Sequence, residues 1–189
     1  MNISHEEINA LPLRTFSGKI VLVQEQQKLN RVFDEVNEHG VIGFDTETRP
    51  SFRKGESHKV SLMQIALPEK VFLIRLNYTG IHSSILDFLQ SHQTEKAGVG
   101  IRDDIHALKK IAAFDPAGFT ELAALAKASG LQVESVKKLT ALLLGFRISK
   151  SAQTSNWEAQ TLTQKQIEYA ATDAWVCLEI HKRLIEMGR

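Results

Sequence analysis

Short apolar runs alternate along the chain with longer stretches in which apolar residues recur every three or four positions, a rhythm that predicts strands interleaved with helices. "KIVLV" (19–23) predicts a first strand, and the mixed segment from Glu25 to His39 predicts a helix closed by Gly40. "VIGFD" (41–45) is apolar until its last residue, the pattern of a central strand buried on both faces. "KVSLMQIA" (59–66) and "VFLIRL" (71–76) flank the turn "LPEK" and predict an antiparallel hairpin, followed by a helix from about Ile81 to Gln90.

Further on, "KAGVG" (96–100) reads as a short buried strand and Arg102 to Ala113 as a helix. "GFTEL" (118–122) predicts a short strand leading into helix through Ser129, and Ser135 to Leu144 predicts a helix ended by Gly145. The last helix opens at "TLTQKQ", where Thr163 and Gln166 have capping-box spacing, and runs almost to Met187. Antiparallel strands followed by strands separated by helices predict an α/β domain built on a mixed sheet. Residues 1–15 read as an N-terminal arm and 16–189 as one domain, with no internal repeat or low-complexity linker.

Composition narrows the picture without naming a chemistry. A chain of 189 residues with 43% hydrophobic and 24% charged content has the make-up of a globular protein with a proper core. Its formal net charge of +1 supplies no global field for a polyanion, so such a substrate would need a local patch or bound cations. The single cysteine, Cys177, excludes an intrachain disulfide and fits a small core residue. The opening residues do not read as a signal peptide, no apolar run reaches membrane length, and the expected location is cytoplasmic.

Four acidic positions resist a reading as solvated surface charge. Asp45 and Glu47 end the predicted central strand, and period two puts both on one side, where they repel. Asp173 lies in the final helix within the stripe Tyr169, Asp173, Val176, Ile180 and Leu184, so its carboxylate needs a basic partner or a metal. In "GVGIRDDIHALKK", Asp103 and Asp104 compete for the fourth place, and either also suits a helix cap. Together the four offer an oxygen cage for a hard cation such as Mg²⁺ or Mn²⁺. The seven histidines show no zinc-hydrolase spacing, and neither a phosphate-binding P-loop nor a serine nucleophile elbow is present.

"FDTET" (44–48), "GIRDD" (100–104) and "YAATDA" (169–174), in that order, resemble the three motifs of the DEDD superfamily of 3′–5′ exonucleases. Tyr169 four residues before Asp173 resembles the tyrosine-bearing DEDDy branch. "KVSLMQIA", "KAGVGIRDD" and "SNWEAQTLTQKQIEYAATDA" look most like the exonuclease domains of ribonuclease D and of the Werner syndrome helicase. The resemblance implies a ribonuclease H-like α/β fold, with a mixed five- to six-stranded sheet and helices on both faces. It implies two divalent ions, Mg²⁺ or Mn²⁺, held by Asp45, Glu47, Asp104 and Asp173, with Tyr169 orienting the attacking water. Asp104 is preferred over Asp103 because it aligns with the motif aspartate. Repulsion between Asp45 and Glu47 then becomes metal affinity.

The expected substrate is a single-stranded 3′ end of DNA or RNA. Thr46, Phe52, Met63, His106, Arg147 and Lys150 are the candidate substrate contacts, with Arg53, Lys54, His58 and Lys59 as a further basic cluster. Core packing is the competing account of Met63, and His106 stands where Werner-type domains have tryptophan. Trp157 and Trp175 read as structural. The chain looks like a free-standing exonuclease domain, with an oligonucleotide of a few residues as one substrate class. The competing expectation is an inactive nucleic-acid or protein-binding module of the same fold.

Overall fold

The computed structural model describes residues 2–188. The apolar runs form β1 (Lys19–Val23), β2 (Val41–Thr48), β3 (Val60–Ala66), β4 (Lys70–Arg75), β5 (Glu95–Gly98) and β6 (Phe119–Glu121). They join in one mixed sheet of order β1-β4-β3-β2-β5-β6. β2, β3 and β4 pair antiparallel, while β1 joins β4, and β5 joins β2 and β6, in parallel. All seven residues of β3 are buried, because both faces of the sheet are covered.

Helices α2 (Leu29–Val36), α4 (Ser83–Leu89) and α5 (Ile101–Lys109) cover one face. Leu29, Val32, Phe33, Ile85 and Phe88 pack there on Phe44, Met63, Ile65 and Phe72. The opposite face is covered by α6 (Leu122–Ala128), α7 (Val136–Leu144) and α8 (Gln164–Met187). Along α8, Tyr169, Ala170 and Ala174 meet Leu62 and Leu73, and further on Val176, Ile180 and Leu184 meet Ala97 and Leu139. The expected helix-covered α/β sheet is observed, with six strands among the described residues.

Several boundaries move for physical reasons. The helix expected from Glu25 is a 3₁₀ turn at Gln26–Lys28 before α2, since the core-facing stripe of Leu29, Val32, Phe33 and Val36 begins only at Leu29. Leu76 leaves the strand to open a one-turn helix, α3 (Leu76–Thr79), and His82 caps α4. Gly100 adopts φ +76°, a left-handed turn that ends the β5 segment and starts α5. The capping box at Thr163 and Gln166 forms as expected, and Gly145 takes the left-handed position after α7.

The first fifteen residues contain α1 (His5–Ala10), with Ser4 and Glu7 closing its own capping box and Ile8 buried. Leu13 bridges to Arg147, and the Phe16 N–H donates to Thr172 Oγ1 at 3.0 Å. Among the described residues, no helix is long and apolar enough to cross a membrane.

Candidate active site

Strand alternation puts Asp45 and Glu47 on the α8 side of β2 and Thr46 on the other. Asp45 pairs with Gln64 and Glu47 with Leu62, and the ladder shifts register between Glu47 and Thr48. Asp173, only 3% exposed, reaches the same place from α8, one turn after Tyr169. Ligand atoms of Asp45, Glu47 and Asp173 lie within 4.8 Å of one another. From the first turn of α5, Asp104 accepts a short hydrogen bond from Thr46 Oγ1, whereas its neighbour Asp103 is exposed.

Crowded carboxylates in a site screened from water resist ionisation. Burial, followed by the charge of Glu47, pushes the Asp45 carboxyl well above its ordinary range. Burial and then Asp173 push Glu47 up to about 9, and burial lifts Asp104 to about 6. Burial also raises Asp173, against the opposing pull of Lys150. Lys150 Nζ donates to Asp173 Oδ2 at 2.8 Å and stands 3.4 Å from the Tyr169 hydroxyl. Burial works against the ammonium, but Asp173 leaves it protonated above its usual range. Tyr169 is held firmly in its phenol form by burial and by the charges of Asp173 and Glu47.

The donor set fits a hard divalent cation. All its ligand atoms are carboxylate oxygens, and Asp173 Oδ1 is buried without a hydrogen-bond partner. A cleft of about 450 Å³ opens over these groups, lined also by Lys137, Lys150 and Gln153. Lys137 and Gln153 escape sequence reasoning because only the tertiary fold brings the start of α7 and the 149–155 segment over the end of β2. The one local signal for Lys137 is its place in the first turn of a helix.

The candidate substrate residues divide. Thr46 and Lys150 line the cleft. Phe52 is 80% exposed in the 49–59 loop and His106 is exposed on α5, and neither lines it. Met63 is corrected to a core residue: it pairs with Thr46 but is wholly buried within the α2/α4/α5 side of the core, out of a substrate's reach. Arg147 turns away, its Nε donating to the Leu11 carbonyl at 3.1 Å to hold the N-terminal segment. His58 is engaged by Glu56 and Glu158, each at 3.3 Å, while Arg53, Lys54 and Lys59 are exposed. Trp157 is buried against Tyr169, with ring centroids 5.9 Å apart, and Trp175 stacks on Phe146.

Comparison with known proteins places the chain in a family. A family model described as 3′-5′ exonuclease matches residues 20–189. Mouse "Bifunctional 3'-5' exonuclease/ATP-dependent helicase WRN" is 30% identical over 188 residues, covering 94% of this chain and 13% of that protein. Mouse "Exonuclease 3'-5' domain-containing protein 2" is 29% identical over 188 residues, covering 91% of this chain and 29% of that protein. The chain thus spans under a third of either relative. Among solved structures, the Aedes aegypti Nibbler EXO domain superposes with a TM-score of 0.81 at 23% identity, covering 92% of each chain. Escherichia coli RNase D gives 0.81 at 21% identity, covering 89% of this chain and 45% of that one. These likenesses bear out the ribonuclease H-like fold. With the family model matched across nearly its whole length, the chain belongs to the 3′–5′ exonuclease family.

Proposed function

We propose that the chain removes nucleoside 5′-monophosphates from the 3′ end of single-stranded nucleic acid, with Asp45, Glu47, Asp104 and Asp173 holding two divalent cations, Mg²⁺ or Mn²⁺. When bound, such a pair lowers the pKa of a coordinated water and stabilises the attacking and leaving oxygens of an in-line displacement. The observation that carries this reading is the convergence of Asp45, Glu47 and Asp173 within 4.8 Å, with Tyr169 one helical turn away. A chain kept only as a binding scaffold has no need of mutually repelling carboxylates in one buried cluster.

The residues divide the work by chemistry. Asp45 and Glu47 approach from the strand and Asp173 from α8, so the cage is rigid on two elements. Thr46 fixes Asp104 through its hydroxyl. Tyr169, kept as a phenol, retains the proton on its hydroxyl and so orients the attacking water as a hydrogen-bond donor. Lys150 and Lys137 supply positive charge along the cleft for the phosphodiester. RNA is one candidate polymer, because Trypanosoma brucei RNase D, of the same fold, is solved in a complex with RNA U12.

The test uses single-stranded DNA and RNA oligomers labelled at the 5′ end, incubated with Mn²⁺, Mg²⁺ or EDTA and resolved by length. A metal-dependent ladder shortening from the 3′ end is expected, and Asp45→Asn should slow it on the order of a hundredfold or more. Degradation of neither polymer with either ion, by folded protein, sinks the enzyme reading in favour of a binding module.

A further inference from the structure

Gln64 sits in the middle of β3 with none of its surface exposed. It pairs directly with Asp45, and opposed residues of an antiparallel pair present their side chains on the same face. Its neighbours on that face, Leu62 and Ala66, pack with Tyr169, Ala170, Ala171 and Ala174 of α8. The carboxamide is therefore enclosed between the acidic end of β2 and the helix that brings Asp173. Neither Nε2 nor Oε1 makes a hydrogen bond.

An enclosed primary amide with both ends unpaired is costly, and an apolar side chain of similar volume would avoid the cost. Nothing in the packing of β3 calls for polarity at this position: Val60, Leu62, Met63, Ile65 and Ala66 are apolar and buried, and the strand's other polar residue, Ser61, donates its hydroxyl to the Lys59 carbonyl. What distinguishes position 64 is its place opposite Asp45 and diagonal to Glu47, within reach of a long side chain. The amide lies close enough to favour the ionised form of Glu47 slightly, though it does not meet hydrogen-bond geometry. Asp173 Oδ1, on the other side of the same cluster, is a third buried polar atom here without a partner. A neutral donor is also the suitable choice, since a carboxylate would add a further negative charge to the cage.

We propose that Gln64 is a positioning residue of the acidic site: with a divalent cation held there, its Nε2 turns to donate to the Glu47 carboxylate and orients that group for the ion. Partners behind a ligating carboxylate fix its direction, and their loss typically weakens metal binding by about 10–100-fold. The proposal rests on the metal-dependent reading of the site, and the experiment separates the two.

Mn²⁺ binding is measured by calorimetry for the wild type, Gln64→Met and Gln64→Leu, together with thermal midpoints in EDTA and steady-state kinetics over a Mn²⁺ range. The expected result is a metal-free midpoint equal to or above wild type, with a Mn²⁺ dissociation constant raised about 10–100-fold. Most of the lost kcat should return at saturating Mn²⁺. Variants that bind Mn²⁺ within about twofold of a binding-competent wild type overturn the role of Gln64 and leave the metal reading intact. A wild type that binds neither Mn²⁺ nor Mg²⁺ overturns both. Should neither variant fold, hydrogen exchange of the Gln64 side-chain amide in wild type decides: slowing on Mg²⁺ addition supports the proposal, and unchanged exchange overturns it.

Discussion

A Cβ on Gly43 would stand 2.0 Å from the carbonyl oxygen of Ala174, so β2 and α8 meet backbone to backbone at this point. The contact sets the depth of the acidic cluster, because Asp45 lies two residues along the strand and Asp173 one residue back along the helix. Glycine is required here for close approach, not for an unusual dihedral angle. Gly43→Ala must push α8 outward, with an expected loss of about 1–3 kcal/mol in urea unfolding. Nuclease activity should fall further than the unfolded fraction explains, because Asp173 moves away from Asp45 and Glu47. Activity and stability both near wild type would show that the helix can shift without disturbing the cluster.

Among the described residues, Lys150 is the one cation in the lining of the cleft that makes an ion pair with the cluster. Its ammonium competes with any divalent cation for Asp173. Lys150→Met should therefore lower the thermal midpoint in EDTA while tightening Mn²⁺ binding about tenfold, a modest effect for one unit charge at this separation. The titration is best run near pH 8, where protons compete less for the carboxylates. Affinity for nucleic acid should move the opposite way, since a phosphate-facing charge has been removed. Weaker Mn²⁺ binding in the variant would refute the competition.

The raised carboxyls give the metal-free protein a definite pH dependence. Glu47 is shifted from an ordinary 4.5 to about 9, so the folded protein holds a proton that the unfolded chain releases across this interval. Its contribution to stability is full below pH 4.5 and is lost as pH rises through about 9. Asp104, shifted from 3.8 to about 6, adds the same sign in a lower window. Thermal midpoints in EDTA should fall between about pH 5 and about pH 8.5. Saturating Mn²⁺ should flatten or reverse that slope, because a cation favours the ionised carboxylates. A midpoint in EDTA that rises over the interval would contradict the assignment.

Tyr169 separates packing from chemistry within one side chain. Its ring lies 5.9 Å from that of Trp157 in the α8 side of the core, while its hydroxyl faces Lys150. Tyr169→Phe keeps the ring, so the thermal midpoint and KM should stay near wild type. The kcat value should drop about 100-fold, the scale of losing a positioned hydroxyl at the reacting water. Unchanged kcat would remove Tyr169 from the reaction and leave it a core residue.

Local periodicity makes much of this protein legible in its sequence. Alternation at the end of one apolar strand puts Asp45 and Glu47 on the same side, and the helical repeat puts Tyr169 and Asp173 one turn apart. Capping chemistry locates the start of α8 at Thr163 and the end of α7 at Gly145. These features depend on residues a few positions apart. Met63 is not legible in the same way: every residue of β3 is buried, so the run of the strand does not by itself reveal which face approaches the site. The partner of Lys150 lies 23 positions away and that of Arg147 lies 136 positions away, distances over which no sequence period operates. Gln64 shows most clearly what the tertiary structure decides. Alternation assigns it a face, but only the packing of α8 on the sheet encloses its amide beside Glu47 without a partner.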